Sequence, residues 1–398
     1  MRRSELSQHV TGRRTSMFAP DMVAQLPALR SALGGARVVV VGAAGSIGAA
    51  TVRVLARFPL RRLVLCDVNE NGLVELLRDL RSQREPIAAE FVRVAPLDAG
   101  APAMATLVRD EPAPDFVLNF AASKHVRAER DVPSLLHLLT TNVLLQTRLQ
   151  HWFDGPTTRR FSVSTDKAAN PVSLMGASKR LMEHVLFGQD AGAGLAVTAR
   201  FANVAFSAGS LLESWTYRYE KGQAMAVPRG VRRYFVSEAE AGDLCTLAAV
   251  LGPGGHVLVP VLNPSSDMRP MIEVLGDVLA AWGRSPRLVP DETSARLAEP
   301  TMHDWPVLVT DPDTPGEKSY EEFVGAGERA EPTAFAALQA IRPTAVPTDL
   351  LSAIVRQIEA WCANPPATLS KADIVECLGA AVPELRHIES ACSLDDRM

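Results

Sequence analysis

The sequence is poor in cysteine. Its 398 residues include five cysteines, at positions 66, 245, 362, 377 and 392, and no two of them have the spacing of metal ligands. An odd, scattered set argues against a disulfide framework and is typical of proteins in a reducing compartment. We therefore expect no metal site, no disulfide-stabilised fold and a cytoplasmic protein.

Net charge and long apolar runs are also lacking. The net charge of −4 gives no general attraction to nucleic acids or anionic membranes. The longest apolar candidate, residues 244–262, is interrupted by a Gly-Pro-Gly-Gly sequence at 252–255, which predicts a helix, a turn and a strand instead of a membrane span. The first ten residues have no apolar core of the signal-peptide kind. We expect neither a nucleic-acid nor a membrane partner.

What the sequence does contain is a regular alternation of β-branched runs and helical patterns. Such alternation is typical of βαβ units, with a parallel sheet and helices on both faces. It predicts an α/β fold built on a Rossmann-like doubly wound sheet, because right-handed crossovers place the helices in that way. The predicted strands are 38–41, 63–66, 91–94, 116–120, 161–164 and 197–201, and the predicted helices are 47–58, 72–84, 104–109, 135–151 and 176–187.

The first predicted strand leads directly into a glycine-rich turn, GAAGSIG at 42–48. Gly42 permits the tight turn, Gly45 lets the backbone approach a pyrophosphate, and Gly48 allows the next helix to pack closely. A glycine pattern alone is a weak signal. Here a strand precedes it, a helix follows, and Asp67 ends the next strand, 25 residues after Gly42. The context predicts a dinucleotide site.

Asp67 favours NAD over NADP, because a carboxylate accepts hydrogen bonds from the adenosine ribose diol and repels a 2′-phosphate. Asp98 follows the third predicted strand. It either reaches the adenine amino group or is an ordinary loop carboxylate. Ala121 and Ala122 follow the fourth strand, and such small residues suit close passage of the cofactor.

The stretch SVSTDKAANPVSLMGASKRLME at 162–183 carries the chemistry. Thr165, Asp166 and Lys167 follow an apolar strand end, and Met175 and Lys179 share one face of the next predicted helix because they are four residues apart. A neighbouring carboxyl and amine suit acid–base catalysis, although a solvated ion pair would give the same pattern. Met175 is equally compatible with simple helix packing.

These motifs, together with NFAASKHV at 119–126, TNV at 141–143 and PGEKSYEE at 315–322, resemble one protein family. It is the polysaccharide-biosynthesis branch of the extended short-chain dehydrogenases, whose best-known members are UDP-N-acetylglucosamine 4,6-dehydratases. The similarity covers roughly residues 10–325.

The resemblance implies a role for each matching residue. Met175 stands where short-chain dehydrogenases normally have a catalytic tyrosine, and Lys179 matches the lysine that holds the nicotinamide ribose. Asn142 matches an asparagine that supports this lysine through water. The implied catalytic residues are Thr165, Asp166, Lys167, Met175 and Lys179. The cofactor ligands are Gly42, Gly45, Ser46, Ile47, Gly48, Asp67, Asn69, Asp98, Ala121, Ala122, Lys124, Asn142 and Lys179. The substrate ligands are Lys124, His125, Asn203, Arg233 and Lys318.

The implied reaction is an NAD-dependent 4,6-dehydration of UDP-N-acetylglucosamine. It would proceed through oxidation at C4, removal of the C5 proton with loss of water from C6, and return of the hydride to C6. Asp166, with a raised pKa, would be the acid at C6, Lys167, with a lowered pKa, the base at C5, and Thr165 a hydrogen-bond partner of the C4 oxygen. A nucleotide-sugar epimerase or dehydrogenase, and an NAD-binding protein without catalysis, remain as alternatives. We expect a homo-oligomer.

The sequence divides into four predicted segments. They are an N-terminal extension (1–34), the NAD-binding Rossmann domain (35–205), an interleaved and mainly substrate-binding lobe (206–335), and a helical C-terminal extension (336–398) outside the resemblance. Within the lobe, 290–335 reads as loop-like because it is rich in Pro, Asp and Glu. In the extension we expect helices at 349–363 and at 371–381, the second with Ser370 as its N-cap.

Some positions depart from the family or allow two interpretations. Phe206 stands where the family has a small residue, and we expect it to reshape the sugar pocket. Trp215, Tyr217 and Tyr219 would either stack on a uracil or pack in a core. We expect His184 on the surface, and His125 as a structural residue more than a base.

Overall fold

A computed structural model describes residues 3–124, 129–188, 195–311 and 320–388 of the protein. In chain order its strands are β1 (Arg37–Val41), β2 (Arg62–Asp67), β3 (Val92–Pro96), β4 (Phe116–Asn119), β5 (Arg159–Val163), β6 (Ala196–Ala199), β7 (Asn203–Val204), β8 (Met225–Pro228), β9 (Arg232–Val236), β10 (His256–Pro260), β11 (Met268–Pro270), β12 (Ser285–Val289), β13 (Asp304–Thr310), β14 (Ala330–Pro332) and β15 (Leu338–Ile341).

The helices alternate with these strands through the first half of the chain. They are α1 (Arg3–Thr11), α2 (Ala19–Ala24), α3 (Leu26–Leu33), α4 (Ser46–Leu55), α5 (Glu70–Arg81), α6 (Met104–Asp110), α7 (Val132–Leu139), α8 (Leu145–Trp152), α9 (Leu174–Gly188), α10 (Leu211–Glu220), α11 (Glu238–Leu251), α12 (Met271–Ala281), α13 (Glu292–Leu297), α14 (Thr348–Ala363) and α15 (Lys371–Ala381). A π-helical turn, Thr140–Leu144, joins α7 to α8 where the sequence pattern predicts one continuous helix.

A nine-stranded sheet forms the centre, in the order β14-β15-β10-β6-β5-β4-β1-β2-β3. The seven strands from β10 to β3 are parallel to one another, and β15 and β14 add an antiparallel edge. Runs such as Val38–Val41 are buried, as expected for parallel strands covered by helices on both faces. The predicted Rossmann-like α/β fold is confirmed.

The sheet topology fixes where a ligand can bind. The strand order reverses between β1 and β4, which are neighbours in the sheet. In doubly wound sheets this switch point opens a crevice at the carboxyl ends of the strands. The glycine-rich turn follows β1 at this end, and Thr165 to Lys167 follow β5 at the same end.

A smaller lobe is built from two three-stranded sheets, β11-β9-β7 and β12-β13-β8. Its apolar core includes Trp215 and Phe206, and Tyr219 stacks on Trp282 and Trp305. The prediction of a loop-like 290–335 is wrong where α13, β13 and β14 lie, because β13 is buried between β12 and β8. Composition alone did not reveal these pairings.

The C-terminal part begins with β15 in the central sheet and continues as two helices. The helices match the prediction at 349–363 and 371–381, and the Ser370 hydroxyl accepts a hydrogen bond from the Asp373 N–H at 3.3 Å. Apolar residues of α14 and α15 form one core with α7, the π-helical turn and α9. The predicted extension is therefore packed against the Rossmann domain, and its first residues are part of the sheet.

Candidate active site

A cavity of about 350 Å³ opens at the switch point of the sheet. One wall is the glycine-rich turn and the start of α4, and the opposite wall combines the end of β5 with α9. The segments 201–204 and 207–210 complete it from the side of the lobe. The cavity therefore brings the predicted cofactor motif and the predicted catalytic residues to one place. Its lining includes Gly45, Ser46, Ile47, Gly48, Ala122, Lys124, Thr165, Asp166, Lys167, Met175, Lys179 and Asn203.

Two glycines of the turn are required by close backbone contacts. Gly42 has φ +74°, and a Cβ atom there would collide with the backbone of Phe120 and Ala121. A Cβ on Gly48 would collide with the carbonyl oxygen of Gly42. Gly45 differs, because a Cβ there meets nothing nearer than the Gly42 oxygen at 3.4 Å. Gly45 lines the cavity, so its missing side chain leaves room for a ligand.

Asp67 orders the turn from the neighbouring strand. Its Oδ2 accepts a hydrogen bond from the Ala44 N–H at 2.9 Å, and its Oδ1 accepts one from the Asn69 N–H at 2.9 Å. Asn69 in turn caps α5 through the Gly72 N–H. Asp98 accepts a bond from the Gly100 N–H at 2.7 Å. Asn69 and Asp98 are therefore fixed within their own loops, whereas Asp67 also bonds the glycine-rich turn.

Asp166 is the buried carboxyl group of the cavity. Its side chain is 2% exposed, and Oδ1 accepts hydrogen bonds from the Thr165 hydroxyl at 2.6 Å and from the Lys167 N–H at 2.9 Å. Oδ2 is buried, and no described residue makes a hydrogen bond to it. Burial raises the pKa of Asp166; the Lys167 charge opposes this rise and the nearby Glu321 carboxylate adds to it. If Asp166 is protonated on Oδ2, its O–H has no acceptor among the described residues.

Lys167 lies between two carboxylates. Its Nζ is 3.1 Å from Glu321 Oε1 and 3.4 Å from Asp166 Oδ1. Burial lowers the pKa of Lys167, but the two carboxylates outweigh burial, so the pKa rises above its usual value. The expectation of a lowered pKa is therefore wrong. Glu321, which is 4% exposed, lies in the PGEKSYEE motif, but sequence reasoning chose Lys318 there and missed it.

Lys179 and Met175 project from α9 into the same cavity. The Lys179 Nζ donates a hydrogen bond to the Val163 carbonyl at 3.1 Å, and burial lowers its pKa to about 8, an effect that Glu183 partly offsets. Met175 both lines the cavity and belongs to the apolar core shared with α14 and α15. Both interpretations of Met175, site residue and packing residue, are therefore compatible with its position.

Asn142 lies in the π-helical turn and is almost fully buried. Its side-chain oxygen accepts a hydrogen bond from the Ser123 N–H at 2.9 Å. Its side-chain nitrogen donates to the Ser123 carbonyl and to the Ser178 hydroxyl, each at 2.9 Å. It therefore ties the loop after β4 to α9, one residue before Lys179. Turns of this π-helical kind are frequent at functional sites.

Three predicted substrate ligands fall in described residues. Lys124 and Asn203 line the cavity, and burial lowers the pKa of Lys124 while Glu213 opposes this. Arg233 is buried nearby, with Nε 3.6 Å from the Glu321 carboxylate that also pairs with Lys167. The other two candidates, His125 and Lys318, lie outside the described residues.

Two expectations about neighbouring residues are wrong. Phe206 does not reshape the pocket, because it is buried in the core of the lobe with φ +59°. His184 is buried instead of exposed, because nearly the whole of α9 around it is buried. Burial and the Arg180 charge lower the pKa of His184 to about 4. Trp215 and Tyr219 pack in the lobe core, whereas Tyr217 is exposed.

A second buried charge cluster lies behind the end of β5. The Arg200 guanidinium donates hydrogen bonds to the carboxylates of Glu183 and Glu328, with N···O distances of 2.6 to 2.9 Å. Arg180 donates to the same two carboxylates. The Ser164 hydroxyl donates to Glu183 at 2.6 Å. Burial would raise the pKa of Glu183, but Arg200 and Arg180 hold it at about 2. This cluster is called the structural cluster below. All four carboxylate oxygens of Glu183 and Glu328 are hydrogen-bonded, and Ser164, which bonds Glu183, is the residue before Thr165.

The family profile described as "Polysaccharide biosynthesis protein" matches residues 38–343. The chain belongs to this family. That assignment agrees with the family named from the motifs, and the match ends before α14.

Curated relatives share part of the chain. An uncharacterized membrane protein of Methanocaldococcus jannaschii is 30% identical over 72% of this chain and 80% of its own length. The capsular polysaccharide biosynthesis protein CapD of Staphylococcus aureus is 28% identical over 73% of this chain, but over only 45% of its own length. The chain thus spans less than half of the second protein.

Solved structures with a similar fold include several nucleotide-sugar enzymes. The Pen protein of Bacillus thuringiensis gives a TM-score of 0.63 at 15% identity, covering 82% of this chain and 98% of its own. A dTDP-glucose 4,6-dehydratase of Bacillus anthracis in complex with NAD gives 0.53 at 14% identity, over 73% and 88%. A UDP-N-acetylglucosamine 4-epimerase of Methanobrevibacter ruminantium gives 0.52 at 17%, over 74% and 91%. At these identities the likeness shows the fold.

The described residues contain neither a metal-binding group of side chains nor a membrane-spanning helix. Within the described ranges, no three His, Cys, Asp or Glu side chains come together in a way that would hold a metal ion. In the same part of the chain, every helix is too short or too polar to cross a membrane.

Proposed function

We propose that this protein is an NAD-dependent 4,6-dehydratase that acts on UDP-N-acetylglucosamine. One observation carries the proposal. The buried carboxyl of Asp166, whose Oδ2 has no hydrogen-bond partner among the described residues, lies in the same cavity as the glycine-rich turn and Lys179. Membership in the polysaccharide biosynthesis family and the fold shared with dehydratases and epimerases support a reaction on a nucleotide sugar.

The residues present fit NAD. The backbone of Gly42 and Gly48 is too crowded for side chains, and Gly45 leaves the N-terminus of α4 open toward the cavity, as a pyrophosphate requires. Asp67 provides a carboxylate at the end of β2, where a ribose diol would be bound. The chemistry that NAD supplies when bound is reversible hydride transfer, at C4 and then at C6 of the sugar.

Asp166 would donate the proton to the C6 hydroxyl as it leaves. A carboxyl group acts as an acid near neutral pH only when its pKa is raised, and burial raises the pKa of Asp166. Thr165 holds Oδ1 at 2.6 Å, which leaves the unpartnered Oδ2 for the substrate. As water leaves, Asp166 becomes a carboxylate beside the positive charge of Lys167.

Lys167 would take the C5 proton, but only after it loses one of its own. Glu321 Oε1, 3.1 Å from Nζ, is placed to accept that proton, which converts an ion pair into a neutral pair. The neutral amine then removes the C5 proton and regains its charge near the developing enolate. Lys179, with its pKa lowered to about 8, is the group in the cavity that would accept the C4 hydroxyl proton in place of the missing tyrosine.

Lys124, Asn203 and Arg233 would bind the diphosphate of the substrate. Lys124 and Asn203 line the cavity next to Ser207, whose hydroxyl lies 3.4 Å from the Lys124 Nζ. An amine and an amide at this wall suit phosphate oxygens, as does a guanidinium buried close by.

The test is proton NMR of UDP-N-acetylglucosamine incubated with the purified protein and NAD in deuterated water. We expect a new methyl signal from C6 and incorporation of deuterium at C5. Asp166→Asn is the matched control, because it keeps the side-chain shape and removes the acid. Unchanged substrate with no deuterium at C5 would refute the proposal.

A 4-epimerase is the second candidate, and the state of Lys167 favours it. Epimerisation at C4 needs no C5 base, and the raised pKa of Lys167 keeps this amine charged in the free protein. The same NMR experiment separates the two reactions. An epimerase would give the C4 epimer with its C6 hydroxyl intact and no deuterium at C5.

A further inference from the structure

The loop that precedes α9 is held by the backbone of the C-terminal part. The Arg386 N–H donates to the Pro171 carbonyl at 2.9 Å, and the Ile388 N–H donates to the Val172 carbonyl at 3.1 Å. The Ile388 side chain is 55% exposed, so the contact at this position is made by the backbone. Residues 171–172 are separated from Leu174, where α9 begins, by Ser173 alone.

A side-chain ion pair adds to these bonds. Glu384 Oε1 lies 2.8 Å from Nε of Arg180, a buried residue of α9 that follows Lys179. Arg180 also bonds Glu183 and Glu328 in the structural cluster. Charge pairs with a buried partner of this kind have a defined geometry because both groups are hydrogen-bonded.

The first turn of α9 is capped by a carboxylate that the C-terminal part also approaches. Glu129 accepts hydrogen bonds from the Leu174 N–H at 3.0 Å and the Met175 N–H at 2.9 Å. The His387 Nε2 lies 3.8 Å from Glu129 Oε2. A helix N-terminus needs such acceptors for its free N–H groups. The cap therefore sits between α9 and residue 387.

Apolar packing joins the same elements. Val382, at the end of α15, and Leu351 of α14 belong to the core that includes Met175, and Leu385 packs against that core. Met175 belongs to this core and also lines the cavity. A shift of α14 or α15 would therefore displace Met175, a side chain that lines the cavity.

We propose that residues 384–388, here called the C-terminal clamp, are positioning residues that hold α9 so that Met175 and Lys179 face the cavity. The clamp lies outside residues 38–343, the part matched by the family profile. Its effect on cofactor affinity would act through Lys179. Its effect on turnover rests on the proposed function.

The sharpest test removes one backbone donor. Ile388→Pro deletes the N–H that bonds Val172, whereas Ile388→Ala keeps it and removes only an exposed side chain. We expect the proline variant to bind NAD roughly fivefold more weakly, the effect of one hydrogen bond, as measured by calorimetry on the full-length protein without sugar. The alanine variant should stay within about twofold of wild type.

Separate measurements of kcat and KM distinguish a positioning role of the clamp from general destabilisation of the protein. In the proline variant kcat should fall while the KM for the sugar nucleotide stays the same, because Lys124 and Asn203 lie on other elements. The melting temperature of the cofactor-free protein should change by less than about 4 °C. Removal of residues 384–398 should give a larger loss of NAD affinity than removal of 389–398, which keeps every clamp residue.

The proposal is overturned if Ile388→Pro and Ile388→Ala bind NAD as wild type does, or if both lose affinity equally. It is also overturned if affinity falls only in step with the melting temperature. The NAD measurement is independent of the reaction. If the wild-type protein binds NAD but leaves UDP-N-acetylglucosamine unchanged, the proposed function fails and the test of the clamp still stands.

Discussion

Two buried charge clusters flank the end of β5, and they contain the same kinds of groups. The structural cluster has two acids, Glu183 and Glu328, and two arginines. The cluster in the site has Asp166, Glu321, Lys167 and Arg233. In the first, buried arginines hold the pKa of Glu183 at about 2. In the second, the pKa of Asp166 is raised and, within the described part of the chain, one of its oxygens has no hydrogen-bond partner.

The difference lies in the geometry of the cations. A guanidinium makes several hydrogen bonds in a plane and can satisfy two carboxylates at once, as Arg200 does. An ammonium is a compact charge, and the Lys167 Nζ lies 3.4 Å from Asp166 Oδ1 and 3.1 Å from Glu321 Oε1. The arginine cluster is therefore suited to holding elements together. In the lysine cluster, Asp166 Oδ2 has no hydrogen-bond partner among the described residues, and we propose that a substrate group completes it.

The largest expected effect comes from Asp166→Asn. Removing the acid should lower kcat by ~10²–10⁴-fold, the usual contribution of general acid–base catalysis. The protein should fold as before, because asparagine has the same side-chain shape and keeps an oxygen that can accept the bonds from the Thr165 hydroxyl and the Lys167 N–H. Turnover by NMR and thermal unfolding check the two parts. A stable variant with wild-type turnover would remove Asp166 from the mechanism.

The opposite result is expected for the structural cluster. Arg200→Met leaves two buried carboxylates without their main partner, which should cost about 3–5 kcal/mol of unfolding free energy. Arg53→Met is the control, because Arg53 makes a surface pair with Asp79 and should lose less than about 1 kcal/mol. Urea denaturation measures both. Equal losses in the two variants would contradict the contrast between the clusters.

A third variant separates the two acids of the site. Glu321→Gln removes the group that accepts the Lys167 proton, so deuterium exchange at C5 should fall at least about tenfold. The neighbouring Glu322 bonds Asn170 at 3.0 Å instead, and Glu322→Gln should exchange at nearly the wild-type rate. If both variants exchange as wild type does, Lys167 loses its proton by another route.

The smallest effect concerns pH and stability beside the structural cluster. Burial and the Arg180 charge lower the pKa of His184 to about 4 in the folded protein, whereas in the unfolded chain His184 is protonated near its ordinary pKa of 6.5. The stabilisation is complete above 6.5 and is lost as pH falls toward 4. The unfolding free energy should drop by about 2 kcal/mol between pH 7 and pH 5. Denaturation at the two pH values should show a smaller drop in His184→Gln; an equal drop would assign the pH dependence to other groups.

The sequence predicted local features well. The strand-to-helix glycine turn, the Asp67 that follows it, and Ser370 as a helix cap depend on neighbouring residues and backbone sterics, which a short motif contains. It failed for features that depend on distant residues. Asp166 and Glu321 together reverse the expected pKa shift of Lys167, and Glu321 does so from 154 residues away. Likewise, β13 is a strand only because β8 and β12 pair with it.

The amino-acid sequence by itself determined the α/β alternation, the glycine-rich strand-to-helix turn and the family, because each is encoded within a few neighbouring residues. Only the tertiary structure decided which carboxylates surround Lys167, why His184 is buried, and how residues 384–388 contact the start of α9. Electrostatic shifts and packing depend on distances through space, and a sequence motif does not contain those distances.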